Sequence, residues 1–248
     1  MTVKEAAEYL KVHWQTVRNY IRSGKLKAVR AGRRIRIRES DVEAMLENGP
    51  AEKPKLEIEI RFLTPNRIKI EEKLLKTGAK VMYHGHVIDH YFAPETFKSI
   101  EDNNEAYGSG KGFGLRIREQ DNGYTGRVTT TLENKKLAVP YHHDTCIETE
   151  IAVENYEETR RLLSTLNMKE FATLDKDRLV YKLGEIKVVI DVIKGFKTGI
   201  EIELVTDEMR ETVLPRLKKL AGEIGLDVNK ELVEKSVTYL YMQDYARF

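Results

Sequence analysis

Leu56-Glu57-Ile58-Glu59-Ile60-Arg61-Phe62, residues 56–62, sets four apolar side chains in strict alternation with three charged ones. A period of two marks a β-strand, so Glu57, Glu59 and Arg61 share one face and Leu56, Ile58, Ile60 and Phe62 the other. One such strand is only amphipathic. The pattern returns, however, in GLRIRE (114–119, with Arg116 and Arg118), in CIETEI (146–151, with Glu148 and Glu150) and around Lys176 and Arg178. It returns again in VVIDV (188–192, with Asp191) and in GIEIEL (199–204, with Glu201 and Glu203). Asn122-Gly123 is a hairpin signal between strands, and helices are expected near 66–77, 155–166, 208–224 and 229–242. The fold class is α+β with an antiparallel sheet.

Two placements of the charged faces are open. In one they face water and the apolar faces meet in a sandwich; in the other the sheet closes into a barrel with charges inside and helices over the apolar outside. The helices have apolar stripes of their own, such as Leu162, Leu163 and Leu166, which need sheet surface to cover. A barrel lined by carboxylates beside guanidinium and ammonium groups also has a chemical use. Carboxylates hold hard cations such as Mg²⁺ or Mn²⁺, bases grip phosphate oxygens, and the interior weakens the screening of both.

The net charge of +2 over 248 residues conceals an asymmetry. Residues 1–49 hold 11 Lys and Arg against 6 Asp and Glu, a net +5, while the remainder holds 31 against 34, a net −3. A cationic head on a slightly acidic body suits nucleic-acid binding. Thr2 and Glu5 form a capping box for a short helix carrying Val3, Ala6, Ala7 and Leu10. After the turn Lys11-Val12-His13, a second helix runs from Trp14 to Ser23, with Val17, Tyr20 and Ile21 inward and Gly24 as its stop. Gln15, Arg18, Asn19 and Arg22 fall on its outer face. Residues 28–37 read as a hairpin around Ala31-Gly32, with Ile35 and Ile37 inward and Arg34, Arg36 and Arg38 outward. Ser40 and Glu43 suggest a second capping box for a last helix through Leu46, which Asn48-Gly49-Pro50 ends. The boundaries are a DNA-binding domain over 1–49, a polar linker over 50–54 and a second domain over 55–248.

A third of the residues are charged, and no run reaches the roughly 18 apolar residues of a membrane span. The start MTVKEAAEYL lacks the regions of a signal peptide, so a cytoplasmic location is expected. Cys146 is the sole cysteine, which excludes an internal disulfide and a thiolate metal cluster; it reads as a small buried residue. YGSGKGFG (107–114) lacks the hydroxyl residue a phosphate loop needs after its Lys and reads as a connection. His84, His86, His90, His142 and His143 offer no complete zinc set. Met168-Lys169 and Lys218-Lys219 read as a loop and a solvated helix face.

Residues 1–48, from TVKEAAEYLKVHWQTVRNYIRSGKLKAVRAGRRIRI, resemble the excisionase and MerR-like winged helix-turn-helix family. In it the second helix enters the major groove and the wing contacts backbone. The resemblance implies that Gln15, Thr16, Arg18, Asn19 and Arg22 read base edges and that Arg33, Arg34 and Arg36 neutralise phosphates of double-stranded DNA. His13-Trp14 stands where the family has a small hydroxyl cap and a polar residue.

EIEIRF, LRIRE and IDVIKGFKTGIEIEL, spanning residues 55–242, resemble the CYTH superfamily of triphosphate-tunnel enzymes. Its members include class IV adenylyl cyclases, thiamine triphosphatases and inorganic triphosphatases. HVIDHYFAPE (86–95) is most similar to the class IV adenylyl cyclase branch. The resemblance implies a barrel, with Mg²⁺ or Mn²⁺ held among Glu57, Glu59, Glu150, Asp191, Glu201 and Glu203. It implies a nucleoside or other organic triphosphate held by Arg61, Arg116, Arg118, Lys135, Lys176 and Arg178, with Arg116, Arg118 and Arg178 catalytic. The family opens Glu-x-Glu-x-Lys, and here Arg61 replaces the Lys. The family's later strand Leu-Thr-x-Lys is also absent: RVTTTLENKK puts Thr131 or Glu133 near that register and Lys135 beyond it. The activities implied are formation of cyclic AMP and pyrophosphate from ATP, hydrolysis of a compound such as thiamine triphosphate, or sensing of a triphosphate without chemistry. A homodimer stays open.

Overall fold

A computed structural model describes all residues except 23, 25, 33, 49–54, 65, 122 and 124, and the side chains of those it describes except 31, 34 and 45–48. Ser23, Arg33, the linker 50–54, the helix end at Gly49-Pro50 and Asn122 of the hairpin signal therefore lie outside the described residues, as do the side chains of Arg34 and Leu46. The chain divides into two compact units, Met1–Pro54 and Lys55–Phe248.

The first unit contains α1 (Val3–Tyr9), α2 (Trp14–Arg22), β1 (Val29–Ala31), β2 (Arg34–Arg36) and α3 (Glu39–Asn48). Thr2 and Glu5 close the capping box of α1. At α2, His13 does the work of the missing hydroxyl: its ring Nδ1 accepts from Gln15 N at 3.3 Å, while its carbonyl accepts from Thr16 N. β1 and β2 pair antiparallel with Ala31 opposite Arg34, and Gly32 takes φ 62° in the turn, a left-handed conformation that favours glycine. Ala6, Ala7, Val17, Leu26, Ile37 and Val42 form the core. The expected Ser40 cap is not what starts α3. That helix begins at Glu39, two residues ahead of the Asp41 that a Ser40 cap would make first, with Arg38 O accepting from Asp41 N and Val42 N, so Ser40 lies within the first turn.

The second unit runs β3 (Leu56–Leu63), α4 (Arg67–Lys76), β4 (Lys80–Pro94), α5 (Ile100–Gly108), β5 (Gly114–Asp121), β6 (Val128–Leu137) and β7 (Thr145–Val153). It continues with α6 (Tyr156–Thr165), β8 (Met168–Leu183), β9 (Ile186–Ile193), β10 (Thr198–Thr206), α7 (Arg210–Ile224), β11 (Leu232–Val233) and α8 (Val237–Tyr245). The strands follow the order β10-β9-β8-β4-β5-β6-β7-β3, and β3 returns to β10, closing an eight-stranded antiparallel barrel. Both faces of β3 are consequently buried. Ile58, Ile60 and Phe62 point outward with Ile200, Ile202 and Leu204 of β10, and Ile70 and Leu74 of α4 with Val213, Leu217 and Ile224 of α7 cover them. Burial of each such side chain contributes about 1.5–3 kcal/mol, which favours the closed barrel over an exposed apolar face.

The covering by α6 is narrower than its sequence suggests. Leu163 packs on Phe92 and Ile117, but Leu162 and Leu166 are 58% and 62% exposed. The helix lies over β5 and β8 with one buried row, so its flanking leucines meet water. The region 229–242 is also not one helix: Leu232 and Val233 extend the edge of β3 opposite Phe62 and Arg61, and Ser236 caps a helix that starts only at Val237. Gly199 makes that docking feasible, since a Cβ there would sit 2.7 Å from the Val237 side chain. α5 was not foreseen, although Ser99 and Asp102 form its capping box.

On the outer wall, His90 lies between Glu170 (2.9 Å) and Glu119 (3.3 Å) and stacks on Tyr156, whose hydroxyl donates to Glu170. Burial favours the neutral imidazole, but the hydrogen bonds and charges of Glu170 and Glu119 outweigh it and raise the pKa of His90. Stability from the charged ring is thus fully present below about pH 6.5 and is lost as pH rises through the folded value. His90→Gln should lower the melting temperature more at pH 5.5 than at pH 9. Equal losses at both would assign His90 to packing alone.

Candidate functional site

Alternation along the strands sends one charged set into the barrel. Opposite pairing places Glu201 beside Arg61 and Glu203 beside Glu59 across β10 and β3, Arg116 beside Glu133 and Arg118 beside Thr131 across β5 and β6, and Arg178 beside Asp191 across β8 and β9. The interior holds a cavity of about 630 Å³, within the range of organic-ligand sites.

At one side Glu57, Glu59 and Glu203 bring carboxylate oxygens within 4.8 Å of one another. Lys135 Nζ donates to Glu57 Oε1 at 2.6 Å and lies 2.9 Å from Glu59 Oε1, and Lys187 holds Glu203 at 2.9 Å. Glu59 is fully buried, yet its Oε2 has no hydrogen-bond partner. Burial raises the pKa of Glu57, with Lys135 opposing it and Glu148 adding to it. Burial and the nearby Glu57 likewise raise Glu203 against the pull of Lys187. A divalent cation suits this set: it would satisfy the orphaned oxygen and remove the repulsion between carboxylates.

Across the cavity, Asp89 is wholly buried and receives two hydrogen bonds from Arg118, at 2.6 and 3.0 Å, while Lys176 lies 2.9 Å away. Burial would raise its pKa, but Arg118, Lys176 and Arg116 together hold it well below the usual carboxylate range. Asp191 is taken by Lys176 at 2.9 Å and by two hydrogen bonds from Arg178 at 2.7 Å. Arg116 donates to Glu133 at 2.6 Å, to the Tyr91 hydroxyl at 3.2 Å and to Glu148 at 3.3 Å. The side chains of Arg116 and Arg178 are 17% and 13% exposed, against 8% for Arg118 and 1% for Lys176. Arg116 and Arg178 therefore offer the most open guanidinium edges to a ligand. An Arg has five N–H groups and can hold a carboxylate with two while presenting the others to phosphate.

The structure thus gathers Glu57, Glu59 and Glu203 and faces them with Arg116, Arg118, Lys176 and Arg178, but it places five expected residues differently, the first being Lys135, expected on the triphosphate and found bridging Glu57 and Glu59. Asp191 accepts hydrogen bonds from Lys176 and Arg178 and lies outside the acidic trio. Glu150 faces Glu133 from β7 but is exposed and outside the acidic trio. Glu201 lies one step along β10, 3.9 Å from Arg61. Arg61, expected on the triphosphate, contacts Glu59 and donates to His143 O at 2.7 Å, so it braces a carboxylate. Sequence reading did not assign Asp89, Glu133 or Lys187 to the site. The alternation Val87-Asp89-Tyr91 and Lys187-Val189-Asp191 was the available signal.

In the first unit Gln15, Arg18, Asn19 and Arg22 are exposed along α2, Thr16 is half-buried, and Arg36 is exposed on β2. The Arg18 guanidinium lies 5.3 Å from the centre of the Trp14 ring, a contact that limits the rotamers it must lose on binding. No helix among the described residues is long and apolar enough to cross a membrane.

Each half matches a family model. A helix-turn-helix domain model matches residues 1–50 and a CYTH domain model residues 55–238. A candidate adenylate cyclase of Methanocaldococcus jannaschii is 27% identical over 184 residues, covering 73% of this chain and 95% of that protein. A solved protein of Pyrococcus horikoshii has a TM-score of 0.63 at 21% identity, over 76% of this chain and 99% of its own. A candidate adenylyl cyclase from Hippeastrum, described as having a dominant triphosphatase activity, has a TM-score of 0.51 at 18% identity, over 77% and 96%. With its antiparallel barrel, inward charges and matching family model, the chain belongs to the CYTH family and carries a helix-turn-helix domain ahead of that barrel.

Proposed function

We propose that the barrel binds an organic triphosphate together with Mg²⁺ or Mn²⁺ and converts it, by cyclisation of ATP to cyclic AMP and pyrophosphate, while the head binds double-stranded DNA. The observation that carries the barrel reading is the acidic trio with its orphaned Glu59 oxygen, set across the cavity from Arg116 and Arg178. Glu57, Glu59 and Glu203 would hold the ion, whose chemistry is to neutralise and polarise phosphate oxygens. Arg116 and Arg178, with Arg118 and Lys176 behind them, grip the phosphate chain and stabilise the charge that grows on departing pyrophosphate. Asn103, Asn104 and Tyr107 of α5 and Tyr239 and Met242 of α8 also line the cavity. They supply amide, aromatic and thioether surface suited to the organic part of the ligand. Removal of orthophosphate is the second reading, favoured by the activity described for the Hippeastrum neighbour. Incubating the full chain with ATP and Mg²⁺ or Mn²⁺ and separating the products tests both. Cyclic AMP with pyrophosphate supports the first and orthophosphate the second; binding without any product leaves a sensor.

For the head, Asn19→Ala should cost about 1–3 kcal/mol on a preferred duplex and relax sequence preference. Arg36→Ala should weaken every duplex about equally and lower the salt slope by about one. Anisotropy titrations at several salt concentrations read both effects. A chain that binds no duplex at low salt would sink the assignment.

A further inference from the structure

Glu57 and Glu59, two of the three carboxylates suited to a divalent ion, are already bridged by the ammonium of Lys135, at 2.6 and 2.9 Å. The third, Glu203, is held by Lys187, and Arg61 lies on Glu59. Three carboxylates therefore face three cations, and the acids beside them, Glu148 and Glu201, each have an arginine partner of their own, so a bare dication entering this group would add positive charge that the site only partly offsets. A triphosphate brings the missing negative charge. Lys135 also has somewhere to go: it lines the cavity, and its side chain is 23% exposed where those of Glu57 and Glu59 are 6% and 0%. Only one of the two Glu59 oxygens is engaged, the other being without a hydrogen-bond partner.

We infer that Lys135 is a resident surrogate for the metal, holding Glu57 and Glu59 together in the metal-free barrel and releasing them to a divalent ion only when a triphosphate arrives to receive its ammonium. The inference rests on reading the acidic trio as the metal site. It makes metal and triphosphate mutually dependent ligands: each should bind weakly alone and tightly with the other.

Mn²⁺ binding to the full chain, followed by the loss of free-ion paramagnetic resonance signal, tests this without any turnover. In the wild type, inorganic tripolyphosphate should raise Mn²⁺ affinity at least about tenfold after correction for Mn²⁺ bound by tripolyphosphate itself. Lys135→Met should bind Mn²⁺ alone at least about tenfold more tightly than wild type, because one like charge has left the site, and should show less synergy. Tight Mn²⁺ binding by the wild type without tripolyphosphate overturns the inference, whether or not the variant folds. Equal affinities of the two proteins for Mn²⁺ alone, with tight binding by both in tripolyphosphate, overturn it while the metal site stands. Failure of both proteins to bind Mn²⁺ under either condition removes the metal-site reading and this inference with it.

Discussion

Replacing Asp89 by Asn is expected to destabilise the barrel by about 3–5 kcal/mol, the usual cost of breaking a buried ion pair from one side. The carboxylate is 0% exposed and faces Arg118 through two hydrogen bonds, Lys176 at 2.9 Å and Arg116 at 3.9 Å. Without its charge, Lys176, itself 1% exposed, retains Asp191 alone, and Asp191 must also serve Arg178. An Asn amide would present N–H groups to cations from one of its two positions. For a domain of this size the loss corresponds to a fall of about 6–20 °C in melting temperature. The pKa of Asp89 is depressed, so its contribution is present above the unfolded value of about 3.9 and disappears only as pH falls through the folded one. The gap between wild type and Asp89→Asn should accordingly stay constant from pH 8 to pH 5. A fall below about 2 °C would show that the guanidinium groups find substitute partners or water, and that Asp89 does not organise the basic wall.

The strands were legible because their period is exposed by charge. LEIEIRF, GLRIRE and GIEIEL alternate strictly, and a face of mixed charge on several strands leaves few arrangements once helices need the apolar side. What alternation does not carry is the pairing across strands. Asp191 and Glu203 look alike in sequence, each an acid on an inward face. The β8–β9 hairpin puts Asp191 opposite Arg178, while closure of the barrel puts Glu203 opposite Glu59, so one carboxylate is held among cations and the other joins the acidic trio. Arg61 changes role for the same reason: His143 and Glu59 meet it from a loop and from its own strand. Asp89 was hidden differently. In its strand, HVIDHYF, Asp89 shares a face with Val87 and Tyr91 and with no second charge, while His86 and His90 lie on the opposite face, so the alternation there carries no charged pattern. The 229–242 segment misled because its apolar residues suit either a helix or a strand edge, and the free end of β3 took Leu232 and Val233.

Arg116→Ala should lower turnover about a hundred- to a thousandfold, or about 2.7–4 kcal/mol in activation free energy, the loss seen when one charge-stabilising contact is removed from a transition state. Among the four cations facing the acidic trio, Arg116 has the most open side chain, and its partners Glu133, Tyr91 and Glu148 hold it from three directions. The fold should survive, since Glu133 keeps Thr131 at 2.8 Å and Arg118 at 3.3 Å. Unchanged melting with lost activity therefore separates this variant from Asp89→Asn. Arg116→Lys restores charge but not the planar fork, and partial recovery would show that position as well as charge matters. Should the wild type bind ATP with Mn²⁺ and form no product, Arg116→Ala must instead weaken ligand binding, and the barrel then acts on the head. In that case ATP changes the affinity of the chain for duplex DNA by some factor, and linkage requires DNA to change ATP affinity by the same factor. Measuring both affinities in both states closes that cycle. An inactive barrel whose ATP affinity is indifferent to saturating DNA has no sensory role, and the two domains would then bind their ligands independently.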